Sequence, residues 1–445
     1  MPPPWRVVAV LMAVSIFGFI DRQILSLLVQ PIRRALSIGD TQMSLLLGFS
    51  FAVSFTLFAI PLGRLADRYS RRSVLAAGLA GWSLCTALCG LGRSFRQMLL
   101  LRFGVGLGEA TLNPCAYSII TDSFPEDRRS TALSVYSMGM NIGAGMAFLM
   151  GGLVIRFASE HQAWSLPFLG PMQPWQIILL EVGLAGFVFT GLLFTIREPV
   201  RRTSAGSQVP IAEVGAYLSR NRKTFLCHNL GFAMFTVASS SGAAWIPEMF
   251  RRNFQWSMPR FGAYFGIEVM VFGSIGVVVA GRIADRLLHR GILNANLRVA
   301  VWIAALAIPV NALVFLAPSG NWAILWLALG ASIMAAPYGV AAAALHQALP
   351  AEIRSQVTAL YLVSVNLIGA ATGPTLTAVL TQHVFRRDDA LNYSLLTVHV
   401  FALAISAILL RSGWTPFLAT LSRLRPKEIY VGDPAGYPGT SQASR

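Results

Sequence analysis

GRLADRYSRR, at residues 63–72, and GRIADRLLHR, at residues 281–290, are two copies of one segment. Each copy has a glycine, an aspartate four residues later, an arginine directly after it and further basic residues, and each closes a long apolar run. Such a cluster belongs at a membrane face, where glycine lets another helix approach closely and arginines lie among the lipid headgroups. A single copy is equally well explained as a positively charged loop that orients helices. Two copies in corresponding places indicate a duplicated chain.

The composition is that of a polytopic membrane protein. Of the 445 residues, 55% are hydrophobic and only 12% are charged, which is about half the charge of a soluble domain. The net charge of +16 would suit a nucleic-acid binder. Most basic residues fall in alternate loops, as the positive-inside rule expects, so we predict no nucleic-acid partner. The four cysteines lie in apolar segments without CxxC pairing, and we therefore expect neither a disulfide framework nor a metal site.

Apolar runs of about 20 residues, long enough to cross a bilayer, occur twelve times. We number them spans 1 to 12: 7–28, 43–64, 73–92, 97–120, 131–155, 174–196, 223–247, 261–283, 297–317, 321–345, 355–382 and 394–411. The predicted fold is therefore all-α, with twelve transmembrane helices in two six-helix bundles.

The predicted domain organisation follows from these runs. Residues 1–196 form the first bundle and residues 223–411 the second, joined by a polar cytoplasmic linker at 197–222 that has room for one short surface helix. Residues 412–445 are expected to be a flexible cytoplasmic tail, which is too short for a signalling domain and so disfavours a receptor or sensor.

A second repeated segment sets the orientation of the two halves. FPEDRRSTALSVY, at residues 124–136, is similar to LPAEIRSQVTALY, at residues 349–361. Because both copies occur at equivalent spans, the halves are expected to be parallel repeats. We predict a multi-pass protein of the cell inner membrane with both termini in the cytoplasm.

The sequence contains no convincing motif for binding a nucleotide or a cofactor. GVGLGEA, at residues 104–110, superficially resembles a dinucleotide loop, but it lies inside span 4 and no strand precedes it. A phosphate-binding G-x-x-x-x-G-K-[ST] loop is also missing from the sequence. We predict no cofactor and no enzymatic activity, and we expect an ion gradient or a partner to supply energy.

Four ionisable residues lie well inside predicted spans, where each costs about 2.5–3.5 kcal/mol on insertion scales. They are Asp21, Arg22, Arg102 and Glu109. Their depths overlap and their charges sum to zero, so a compensated polar network between spans 1 and 4 is predicted. The alternative is a purely structural ion pair. Adjacent Asp21 and Arg22 point about 100° apart, so at least one side chain should face a cavity or a second partner.

Other polar residues in the spans carry weaker predictions. Glu181 and Glu268 have no obvious basic partner, and exposure near the outer rim is favoured over a second proton site. In the second half, where charges are few, Tyr338 and Asn366 are the candidates for cavity lining.

The repeated loop resembles the signature G-x-x-x-D-[RK]-x-G-[RK]-[RK] of major facilitator transporters, with Ser70 and Leu288 in place of its second glycine. FGFIDRQIL in span 1, LADRYSRR after span 2 and RFGVGLGEA in span 4 are similar to the Spinster branch of lipid transporters. This resemblance implies that the four buried charges serve proton coupling and substrate recognition. It also implies a conformational latch made by Gly63, Asp67, Arg68, Arg71, Arg72, Gly281, Asp285 and Arg286.

These observations predict a proton-coupled secondary transporter for an amphipathic or anionic, lysolipid-like molecule, working by alternating access. The alternative is a proton symporter or antiporter for a small organic acid, sugar or drug, which would need a compact polar pocket from both halves. The expected partners are the substrate, protons and the lipid bilayer, and the expected state is a monomer. Substrate identity and transport direction stay open at this point.

Overall fold

The computed structural model describes residues 4–160, 164–166, 170–200 and 209–424, apart from some side chains within these ranges, including that of Asp67. Residues 201–208 of the predicted linker and 425–445 of the predicted tail lie outside the described residues.

The first half consists of helices that follow predicted spans 1 to 6. Their bounds are Pro4–Leu27, a short Val29–Leu36, Asp40–Ser44 continuing through a π-helical turn Leu45–Phe49 into Ser50–Arg68, Arg71–Leu91, Phe95–Glu109, Leu112–Ser123, Glu126–Glu160 and Pro174–Leu193.

The second half repeats this arrangement after a surface helix, Ile211–Arg220, in the predicted linker. Spans 7 to 12 correspond to Arg222–Phe254, Met258–Glu268 with Val269–Gly273 and Ser274–His289, Ala295–Phe315, Gly320–Ala335 with Pro337–Gln347, Arg354–Ser364 with Val365–Ala370, Thr372–Val379 and Leu380–Phe385, and Leu391–Ser412. Three-residue 3-10 turns, Ala351–Ile353 and Asp388–Ala390, precede the last two spans.

The predicted helical membrane fold is confirmed. Within the described ranges, nine helical segments are long and apolar enough to cross a membrane. Span 4 is outside that set because a break at Ala110 and Thr111 divides it into two shorter helices. Spans 5 and 7 are outside it as well, and both contain several polar residues.

The two halves pack closely where spans 5 and 8 cross. A Cβ atom placed on Gly145 would collide with the Gly266 carbonyl oxygen, and one on Gly262 would collide with that of Phe148. These glycines therefore allow backbone-to-backbone approach, which is the commonest use of small residues in membrane helices.

Two local elements differ from expectation. A small antiparallel hairpin, Trp164–Leu166 with Gly170–Met172, joins spans 5 and 6, and its strands are too short to leave an alternating pattern in the sequence. Residues 412–424 were expected to begin a flexible tail, but Trp414–Leu424 is a helix. It is ordered because Phe417, Thr420 and Leu421 are buried against the bundle, Phe417 being only 1% exposed.

Candidate functional site

Arg22 and Glu109 form an ion pair between spans 1 and 4. The Arg22 Nη2 donates a hydrogen bond to Glu109 Oε1. The two side chains differ in accessibility, because Arg22 is 30% exposed and Glu109 only 4%. The carboxylate lies beside Gly18, where a Cβ would be 3.4 Å from Glu109 Oε1. Arg22 is thus the member of the pair that solvent or a solute can reach.

Aromatic rings surround the Arg22 guanidinium. Its central carbon lies 4.3 Å from the ring centroid of Phe51 and 5.1 Å from that of Phe19. A partly desolvated cation over aromatic faces is stabilised by about 0.5–2 kcal/mol. The same surface offers a positive charge beside apolar area, which suits a ligand with an anionic group and an apolar body.

Asp21 points to span 3 instead. Thr86 Oγ1 lies 2.9 and 2.8 Å from the two Asp21 carboxylate oxygens, which share its single O–H, and Asp21 is 1% exposed. Thr86 was missed at the sequence level, where a lone hydroxyl in an apolar span is usually bonded to its own helix.

Arg102 lies near Asp21 but does not form an ion pair with it within 4.0 Å. It is 1% exposed. Its Nε and Nη2 atoms are buried without a hydrogen-bond partner among the residues whose side chains are described. The four predicted charges therefore occupy one region in two arrangements: a direct pair, Arg22 and Glu109, and a looser set of Asp21, Thr86 and Arg102.

The glycines of GVGLGEA pack this region together. A Cβ on Gly106 would collide with Ser54 in span 2, and one on Gly108 would lie 2.6 Å from the Gly78 carbonyl oxygen in span 3. This close approach brings span 4 against spans 2 and 3, which places Glu109 and Arg102 beside the span 1 charges.

An ion cluster at the predicted outer end joins the two halves. Arg252, at the end of span 7, donates to both oxygens of Asp40 at 2.8 Å, and its Nε donates to Glu248 Oε1 at 2.6 Å. Arg33 adds a second cation, 3.1 Å from Asp40. The side chains of Asp40, Glu248 and Arg252 are 1%, 2% and 4% exposed. We call Arg33, Asp40, Glu248 and Arg252 the outer ion cluster.

The sequence did not reveal the outer ion cluster. Its members lie at the ends of spans, where charges are ordinary, and Asp40 is more than 200 residues from Arg252 in the chain. Further contacts close the same end: Gln382 Oε1 accepts a hydrogen bond from the Thr41 backbone N–H at 2.9 Å, and Ser44 Oγ lies 3.4 Å from Thr375 Oγ1.

The opposite end, where the repeated GR-x-ADR segments lie, is more open. Outside the glycine's own helix backbone, no described atom lies within 4 Å of the position that a Cβ would take on Gly63 or on Gly281.

The sequence pattern of the Major Facilitator Superfamily matches residues 11–374. This chain belongs to that superfamily. It is a multi-pass membrane transporter by family, and the helices described above have the superfamily's arrangement.

Individual relatives include Spinster proteins and an efflux pump. The chain is 27% identical to an "MFS-type efflux pump" of Mycolicibacterium smegmatis, over 85% of this chain and 84% of that one. It is 26% identical to "Protein spinster homolog 1" of Homo sapiens, over 93% and 80%. The crystal structure of a bacterial homolog to the human lysosomal transporter Spinster, inward-facing and unoccupied, superimposes with a TM-score of 0.76 at 23% identity, covering 98% of this chain and 100% of that one.

In this major facilitator protein, the predicted latch residues divide into two groups. Arg68, Asp285 and Arg286 are exposed, whereas Arg71 is buried, at 2% exposure. The side chain of Asp67 lies outside the described part of the structure. The expectation that these arginines lie among headgroups is therefore wrong for Arg71. A network of ion pairs and hydrogen bonds within the first bundle holds its side chain inside the protein.

The Arg71 network ties the loop after span 2 to spans 4 and 6. Arg71 pairs with Asp122, and its Nε lies 3.1 Å from Glu198 Oε1. It also donates to Ser118 Oγ at 2.9 Å and to the Pro199 carbonyl at 2.8 Å. Arg72 adds a hydrogen bond to the Ile196 carbonyl, at 3.0 Å. These contacts stabilise one half rather than joining the two.

Replacing Arg71 with alanine is expected to destabilise the protein by about 3–5 kcal/mol, because it leaves Asp122 buried without its cation. Thermal unfolding of purified protein measures this loss. Arg68→Ala is the control, since it removes the same charge from an exposed position nearby. Equal unfolding temperatures for the two variants would show that the Arg71 network contributes nothing to stability.

Glu198 gives this network a pH dependence. Its burial acts to raise the pKa, but hydrogen bonds from Ser70 and Arg71 outweigh it and hold the pKa below the ordinary glutamate value of 4.5. A lowered folded-state pKa means that the stabilisation is fully present above pH 4.5 and is lost as the pH falls through the folded value.

The remaining predicted residues lie apart from the four charges. Tyr338 is 62% exposed, and Asn366 is half-buried in the π-helical turn of span 11, where its Nδ2 donates to the Leu362 carbonyl at 2.9 Å. Glu181 is exposed. Glu268 is half-buried, and its Oε2 has no hydrogen-bond partner in the described portion of the chain. The prediction of cavity lining for Tyr338 and Asn366 stays a prediction.

Proposed function

We propose that this transporter is proton-coupled and moves an amphipathic anion, lysolipid-like in its chemistry, by alternating access. The observation that carries this proposal is the ion pair of a reachable Arg22 with a buried Glu109, set against two phenylalanine rings. The relatives named as Spinster proteins support the same reading.

The pair offers a simple coupling mechanism. A carboxylate this deep in a membrane protein is costly unless it is paired, and protonation removes its charge. A proton on Glu109 releases Arg22, which then attracts an anionic substrate group. In this mechanism Asp21 and Arg102, the other two charges of the same region, respond to the change of charge. Proton binding thereby changes substrate affinity, and the reciprocal effect follows by linkage.

The apolar body of the substrate is accommodated by the surroundings. Phe19 and Phe51 flank the Arg22 cation, and spans 7 to 12 contribute few charges to the membrane interior. A sugar or small organic acid requires several polar groups from both halves. For this reason we favour the amphipathic substrate over the small polar one.

Proteoliposomes with an imposed pH gradient test the proposal. We expect gradient-driven movement of lysolipids with anionic headgroups and little movement of neutral sugars. Movement of a small organic acid or sugar alone would establish the alternative substrate class. Transport that ignores the pH gradient for every substrate would contradict proton coupling.

The proposed topology places both termini and residues 197–222 in the cytoplasm of a cell with an inner membrane. Ser204→Cys, in the undescribed part of the linker, should then resist labelling by an impermeant maleimide applied to intact cells. Ser37→Cys is the positive control, because Ser37 is exposed in the loop between spans 1 and 2. Efficient labelling at position 204 and not at position 37 would invert the topology.

A further inference from the structure

Three helix ends meet at Trp414, on the predicted cytoplasmic face. They are the start of helix Ala295–Phe315, the end of helix Leu391–Ser412 and the start of helix Trp414–Leu424. The last of these is amphipathic: Phe417 and Leu421 are buried, whereas Leu418 is 37% exposed. The indole is therefore held at the edge of the bundle, where spans end and headgroups begin.

Two arginines converge on this one indole. The guanidinium carbon of Arg411 lies 4.0 Å from the Trp414 ring centroid, and that of Arg298 lies 5.0 Å from it. Arg298 Nε donates to Asn294 Oδ1 at 2.9 Å. In the described ranges neither arginine forms an ion pair with an acid within 4.0 Å. Two like charges this close to one ring repel each other unless an anion lies between or beside them.

The indole N–H is a third donor without an acceptor. Trp414 Nε1 is buried and has no hydrogen-bond partner among the described side chains and backbone. A buried donor left unpaired costs about 1–3 kcal/mol. Arg298 donates only to Asn294, and neither the Arg411 guanidinium nor the indole N–H has an acceptor among the described residues, so the three groups together match a group with several oxygen acceptors and a negative charge.

We infer that Arg298, Arg411 and Trp414 form a binding site for the phosphate of an anionic phospholipid headgroup. The location favours a lipid as the source of that phosphate, because the cluster lies where spans 9 and 12 end and tryptophan prefers the membrane interface. Arginines at this level also attract anionic lipids. The inference is independent of the transported substrate, since these residues are far in sequence from the span 1 and span 4 charges and belong to the other half.

A lipid titration tests the site. Purified full-length protein in neutral detergent is titrated with phosphatidylglycerol, and the midpoint of thermal unfolding is followed. We expect phosphatidylglycerol to raise the midpoint and phosphatidylcholine to leave it nearly unchanged. The Arg298→Gln/Arg411→Gln double variant should need about 25-fold more phosphatidylglycerol for half the effect, at about fivefold per arginine.

Two comparisons make the test specific. Arg220→Gln/Arg290→Gln removes the same charge from two exposed arginines on the same predicted face that do not stack on Trp414, and it should raise the half-effect concentration much less than the Arg298 and Arg411 variant does. Trp414→Phe keeps an aromatic ring but lacks the N–H, and it should weaken the response about tenfold or more, the usual contribution of a hydrogen bond to a charged group. Because the lipid concentration at half effect is compared, a variant with a lower starting midpoint still gives a result.

Two outcomes would overturn the inference. Equal weakening in both double variants would show that net charge alone attracts the lipid. An equal response to soluble glycerol phosphate would show a site for a free phosphate rather than for a membrane lipid.

Discussion

Replacing Glu109 with glutamine is expected to abolish the dependence of transport on a pH gradient while folding and substrate binding persist. Glutamine imitates the protonated acid, so Arg22 is permanently released and its availability no longer depends on protonation at position 109. Gradient-driven accumulation in proteoliposomes should fall by about tenfold or more, a typical size for a coupling between two ligands. Substrate exchange without a gradient should continue, because the binding surface of Arg22, Phe19 and Phe51 is intact.

Glu181→Gln is the matched control for this experiment. It removes a carboxyl from another span, but from an exposed position. Its pH dependence should equal that of the unmodified protein. If Glu109→Gln protein still accumulates or expels substrate with the original pH dependence, the Arg22 and Glu109 pair is structural, which is the bland alternative that the sequence left open.

Replacing Arg252 with glutamine is expected to open the predicted outer end. The change removes the guanidinium that bridges buried Asp40 and Glu248 across the two halves, and leaves each acid only the cation of its own half, Arg33 or Arg251. Loss of one partner from a buried, hydrogen-bonded charge pair costs about 2–5 kcal/mol. A cost of about 3 kcal/mol lowers the equilibrium constant for the closed state over the open state by roughly a factor of 100. Ser44→Cys reports the change, because Ser44 is buried in this end at 0% exposure.

The measurement is the rate at which an impermeant maleimide labels Ser44→Cys from outside. We expect much faster labelling with Arg252→Gln than with Arg251→Gln. Arg251 is the matched control, since it pairs with the same Glu248 but does not contact Asp40 and is 31% exposed. Equal labelling rates in the two backgrounds would show that the outer ion cluster does not hold the halves together.

Much of the fold follows from features that are local in the sequence. Apolar runs of span length, basic residues in alternate loops and two repeated segments are properties of short stretches of chain, and the bilayer translates them directly into helices and their order. Part of the candidate site could also be predicted from the sequence, because a charged residue inside an apolar span, such as Glu109 or Arg102, can be recognised without a structure.

The partners of these buried charges could not be predicted from the sequence. The sequence indicated that Asp21 and Arg22 could not share one partner, but several arrangements satisfy that condition. Thr86 in span 3 is the partner of Asp21, and that contact depends on how spans 1 and 3 lie against each other. No property of Thr86 itself distinguishes it from other hydroxyl residues in the spans.

The repeated GR-x-ADR segment and the apolar runs were thus sufficient to predict, without coordinates, a duplicated helical membrane protein. Only the tertiary structure decided that Arg71 is buried inside one half, that Arg252 and Asp40 join the two halves, and that Arg298 and Arg411 meet at Trp414. Helix formation in a membrane depends on neighbouring residues, whereas each of these contacts depends on how distant helices cross, and one residue's identity does not specify that geometry.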